Sequence, residues 1–168
     1  RFARSGRRED VEFRRADAAV WVPLALAAAE AWRQTRAVAP ADEAQSRELT
    51  SRLRSAVTAL PDVALAGPDE DRLPHVVTFS ALYADGEALV TELDRRGLAV
   101  ASGSACTSAT LQPSHVLAAM GLLTHGNVRV TLPLAAVAPD RATSVDRLIH
   151  ELPEVLARVR ADLGAVGL

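Results

Sequence analysis

The spacing of apolar residues changes several times along this chain, and those changes restrict it to a small sheet covered by helices. From Ala16 the apolar positions Val20, Leu24, Ala27, Ala28, Ala31 and Trp32 recur at helical spacing, which predicts a helix; Trp21 and Trp32 read as packing residues rather than ligand platforms. Pro40-Ala41-Asp42-Glu43 is the kind of Pro-and-acid start a helix dipole favours, so a second helix is expected there. Its buried stripe is Leu49, Leu53, Val57 and Leu60, and Pro61 ends it. The pattern then shortens to runs that fit strands: residues 63–66, 75–79, 98–100 and 127–132. Helices are predicted between them. Asp85 caps one that runs to Arg96, with Gly97 after its end. A brief one starts at Pro113 and passes Met120 to Gly121. A last stretch uses Val145, Leu148, Ile149, Leu152, Val155, Leu156, Val159 and Leu163, with Pro153 expected to kink or split it. Two long helices followed by strands alternating with helices imply an α/β (α+β) two-layer domain.

Composition enters as a set of exclusions. At 168 residues the chain can bury a core without disulfides or metals. Its net charge of −2 gives no electrostatic case for nucleic acid or an anionic membrane as partner. The longest apolar run, residues 18–29, is too short for a bilayer, which needs about 20 residues. No secretory signal is visible and Cys106 is the one cysteine, so a reducing, cytoplasmic setting is expected. One cysteine and four scattered histidines make no metal-ligand constellation. All 19 Lys+Arg residues are arginine, which removes Schiff-base chemistry from what this polypeptide can do alone. The start at Arg1 rather than Met points to a piece of a longer protein.

Cys106 stands in Ala101-Ser102-Gly103-Ser104-Ala105-Cys106-Thr107-Ser108. Structural cysteines usually have bulky apolar neighbours, whereas a thiol among Ser, Gly, Ala and Thr suits an accessible loop where a thiolate can react. Gly103 and its small neighbours would let such a loop swing. His115 and His125 flank the region as surface or turn histidines that could serve acid–base work. His75 and His150 have no such context.

Phe79-Ser80, Asp85-Gly86-Glu87-Ala88-Leu89, Gly97 through Ser108, Pro113 through Gly121 and His125 through Leu132 together resemble the C-terminal part of cysteine desulfurases. These are NifS/IscS-like pyridoxal-phosphate enzymes of the class-V aminotransferase superfamily. The likeness covers most of residues 74–163. It implies residues 1–15 as a segment leading from a large domain, and residues 16–168 as the small domain of a fold-type I enzyme, with a mostly antiparallel sheet. It implies Cys106 as the catalytic cysteine, which takes sulfur from an L-cysteine substrate, leaving L-alanine and an enzyme persulfide. It implies Arg129 as the guanidinium fork that binds the substrate carboxylate. Ser102, Gly103, Ser104 and Ser108 would shape the loop.

The same resemblance assigns the pyridoxal 5′-phosphate lysine to the large domain, so these residues alone are expected to be inactive. A homodimer and a sulfur-acceptor or iron–sulfur scaffold protein are the partners it implies. A related C–S or selenocysteine lyase and a non-catalytic sulfur-carrier or interaction module stay open. The stretch from Pro133 to Pro139 departs from the family pattern, being longer and more apolar.

Overall fold

A single helix, α1 (Val22–Thr58), occupies the ground where two were expected, and Pro40 lies inside it. The structure, a computed structural model, describes residues 21–103 and 114–165. The chain divides into two compact units, Arg1–Pro40 and Ala41–Leu168, so the proline marks a unit boundary rather than a helix start. In the first unit residues 22–40 are helical, and the described residues are largely exposed. Trp21 and Trp32 are 68% and 66% exposed, against the expectation that they pack.

The second unit holds the sheet. Strands β1 (Val63–Ala66), β2 (Val76–Ala81) and β3 (Asn127–Thr131) lie in that order. Both pairings are antiparallel, with Leu65 opposite Phe79 and Phe79 opposite Val128. Alternation along each strand sends Val77, Phe79, Val128 and Val130 to one buried face. The later part of α1 contributes Leu49, Leu53 and Val57 to the same cluster. Helix α2 (Gly86–Arg95) adds Leu89 and Leu93; α4 (Arg141–Asp162) adds Val145, Leu148, Leu152, Val155, Leu156 and Val159. Burying Phe79 alone is worth roughly 1.5–3 kcal/mol. The expected α+β small domain with an antiparallel sheet is what the chain forms.

Two further expectations are corrected. Pro153 does not split α4, which runs unbroken through it. Residues 98–100 are not a strand. The Gly97 N–H donates to the Asp94 carbonyl (2.8 Å) and the Leu98 N–H to the Leu93 carbonyl (2.9 Å), while Gly97 takes φ +72°. That double hydrogen bond across a left-handed glycine is a Schellman closure. It ties Leu98 to the end of α2, and the sheet gains a single bridge instead, Ala101 opposite Arg129. The short helix α3 (His115–Ala119) begins after Ser114, whose side chain accepts from the Leu117 N–H. Among the described residues no helix is long and apolar enough to cross a membrane.

Candidate functional site

Arg129 is placed by its neighbours on β3. Val128 and Val130 are buried, so strand alternation turns Arg129 to the opposite, exposed face. Across β2 it sits opposite Thr78, and on its outer side opposite Ala101. The Ala101 N–H donates to the Arg129 carbonyl at 3.0 Å and the Arg129 N–H to the Ala101 carbonyl at 2.7 Å. Among the described residues no carboxylate lies within 4.0 Å of the Arg129 guanidinium. A planar cation free of a described acid, on a face of small side chains, is suited to take a carboxylate through two parallel hydrogen bonds.

Ala101 opens the segment that leads to Cys106, so the same bridge ties the root of that segment to the Arg129 strand. Ser102 is half-buried against α2: a Cβ at Gly86 would run into the Ser102 Oγ and come within 2.8 Å of the Asn127 carbonyl oxygen. Gly103 is exposed with φ +57° and open space around it, a turn in which a glycine avoids left-handed strain. Cys106, Ser104 and Ser108 lie outside the described residues. His115 heads α3 and His125 precedes β3, both exposed; the geometry gives neither a role. Among the described residues no group of three or more His, Cys, Asp or Glu could hold a metal ion.

Ser80 and Asn127, which pair across β2 and β3 two residues along from Thr78 and Arg129, form a polar pair that the sequence patterns did not mark. The Ser80 hydroxyl donates to the Leu123 carbonyl at 2.9 Å, and the Asn127 amide donates to the Phe79 carbonyl at 3.3 Å and to the Ser80 Oγ at 3.4 Å. Both side chains are buried and satisfied, so they hold the turn before β3 onto β2. Their signal was their place in the matched segments, not their residue types. The apolar loop after β3 is held the same way. Buried Arg141 donates to the Pro133 carbonyl (2.7 Å), Asp42 (3.1 Å) and Gln45 (2.6 Å), and the Ala135 N–H donates to Asp42 (2.8 Å).

The aminotransferase class-V family model matches residues 16–140. A cysteine desulfurase of Nostoc sp. is 38% identical over 117 residues, covering 67% of this chain and 28% of its own length. Cysteine desulfurase IscS 1 of Archaeoglobus fulgidus is 41% identical over 115 residues, covering 68% of this chain and 30% of its own. A solved NifS-like protein superposes with TM-score 0.62 at 23% identity, covering 78% of this chain and 32% of its own, which is a likeness of fold. The chain thus spans about 30% of the length of these relatives. Matched over most of its residues, it belongs to the class-V aminotransferase family.

Proposed function

We propose that this chain is the sulfur-accepting small domain of a cysteine desulfurase. The observation that carries the reading is the two-hydrogen-bond bridge between Ala101 and Arg129, which keeps the root of the Cys106 segment beside the strand that presents the guanidinium. In this reading Arg129 holds the carboxylate of L-cysteine. The Cys106 thiolate bonds to the substrate sulfur as its Cβ–S bond breaks; the bond's electron pair stays on Cβ, which takes up a proton, so that L-alanine leaves and Cys106 retains a persulfide. An acceptor or iron–sulfur scaffold protein then takes that sulfur, within a homodimer in the cytoplasm.

Pyridoxal phosphate is anchored in such enzymes by a lysine amine, and these 168 residues contain no lysine. The residues present therefore do not fit the cofactor, and its binding is assigned to polypeptide beyond them. The isolated 168 residues should release no sulfide from L-cysteine and develop no cofactor absorbance with pyridoxal phosphate; steady turnover would overturn that assignment.

The test of the chemistry uses the full-length protein. Cys106→Ser should abolish alanine formation from L-cysteine and the added-sulfur mass on the Cys106 peptide, with cofactor absorbance intact. Normal alanine formation would sink the reading. Arg129→Ala should lose about 1.5–3 kcal/mol in kcat/KM, mostly through KM, with partial recovery in Arg129→Lys. Unchanged kinetics would return Arg129 to a structural role.

A further inference from the structure

We propose that a cleft between α1 and the loop after β1, separate from the Arg129 face, is a binding site for a small phosphate-type oxyanion. The cavity is about 530 Å³, lined by Ser51, Arg54 and Thr58 of α1, Leu65 of β1, and Asp69 and Arg72 of the loop. Residues 51, 54 and 58 share one face of the helix by their spacing, so the sequence of α1 builds one wall and the loop supplies the other.

Two arginines, Arg54 and Arg72, line it, each held by hydrogen bonds. The Arg54 side chain is only 9% exposed, and its ion-pair partner among the described residues is Asp69, at 2.6 Å, whose own side chain is 94% exposed. Arg72 is held entirely by neutral acceptors. It donates to the Thr50 Oγ1 at 2.9 Å, the Ser51 Oγ at 3.2 Å and the Asp69 carbonyl at 3.2 Å. Among the described residues no carboxylate lies within 4.0 Å of it. Glu70 and Asp71 continue the loop but are exposed and do not line the cavity.

These contacts leave a charge excess. Two arginines and one aspartate line the cleft, and the aspartate sits at its wet rim. Burial, and then the positive charges of Arg54 and Arg47, hold the Arg72 pKa below its ordinary value. An anion seated between Arg54 and Arg72 would relieve that repulsion. The Ser51 hydroxyl accepts from Arg72 and keeps its proton to donate. Asp69 serves as the resident counter-ion when the cleft is empty: a nearly exposed carboxylate loses little by swinging into water. Guanidinium forks match phosphate oxygens in geometry as well as charge. The volume falls in the range of small-molecule sites, and Leu65 gives it an apolar wall, so the anion is either free or the head of a small ester.

Calorimetric titration of the full-length protein in a chloride buffer, with inorganic phosphate and with phenyl phosphate, tests this. Saturable binding is expected, weakened at least about tenfold in Arg72→Gln and tightened in Asp69→Asn, with circular dichroism confirming that both variants fold. Tighter binding of phenyl phosphate marks an ester as the natural occupant, and equal binding marks the free anion. Absence of saturable binding to the parent protein, or undiminished affinity in folded Arg72→Gln, overturns the proposal.

Discussion

At position 86 the lack of a side chain lets three segments meet: the start of α2, Ser102 and Asn127. A methyl there would come within 2.8 Å of the Asn127 carbonyl oxygen and collide with the Ser102 Oγ. The serine can rotate, but the backbone oxygen of β3 cannot yield without moving the strand that carries Arg129. Gly86→Ala should therefore lower stability by about 1–3 kcal/mol, as overpacking does, seen as an earlier urea midpoint. An unchanged midpoint would mean the contact is loose. Gly86 was visible in the sequence as part of Asp85-Gly86-Glu87, yet the reason for a glycine was not, because both neighbours lie far along the chain. Arg129 was more legible. Flanking valines give its face from the strand period alone, whereas its pairing with Ala101 depends on where α2 ends.

The helix ends marked by Asp85 and Gly97 were read correctly, whereas Pro40-Ala41-Asp42-Glu43 lies inside α1 and Pro153 does not split α4. Asp85 caps α2 as expected, its Oδ1 accepting from the Ala88 N–H at 2.9 Å; Asp85→Ala should cost about 1 kcal/mol in the same urea experiment. Gly97, Gly121 and Gly164 all take positive φ just after a helix, and each is followed by an N–H that donates five residues back, from Leu98, Leu122 and Ala165. One closure thus serves α2, α3 and α4. It also explains why residues 98–100 were mistaken for a strand: their apolar character belongs to the helix end, where Leu98 is buried. Proline as a stop signal assumes that the lost hydrogen bond decides the matter. In α4 the buried residues Leu148, Leu152, Val155, Leu156 and Val159 straddle Pro153, so packing on the core carries the helix through. Pro153 itself is exposed. Pro153→Ala should raise stability by about 1–3 kcal/mol by restoring the missing donor, and a fall instead would show that the helix bends there to fit the core.

Across the second unit, a fold readable from apolar spacing is tied together by arginine–carboxylate contacts, of which the long-range ones, Asp42–Arg141 and Glu92–Arg158, are not marked by any spacing. Asp42 looked like a first-turn acid at a helix start; it lies within α1 and holds Arg141 and the loop after β3. Glu92 gathers Arg95, Arg96 and Arg158 around it. Burial pushes both carboxyls up. For Asp42 the Ala135 N–H, Arg141 and Ser46 outweigh it; for Glu92 the three arginines do, so both folded-state pKa values fall below the ordinary carboxylate range. Glu154 is lowered as well, mainly by its hydrogen bond from Arg96. A carboxyl with a depressed folded pKa stabilises fully above its unfolded pKa and loses that contribution as pH falls through the folded value. The urea midpoint should thus stay level from about pH 7 to about pH 5 and decline below about pH 4. Asp42→Asn separates this linkage from general acid damage. It should start less stable at neutral pH, lose less on acidification, and approach the parent at the acid end, where the parent's Asp42 is protonated too. Parallel curves for parent and variant across the whole range would show that Asp42 titrates alike in the folded and unfolded chains, and would remove the Asp42–Arg141 tie from the acid response.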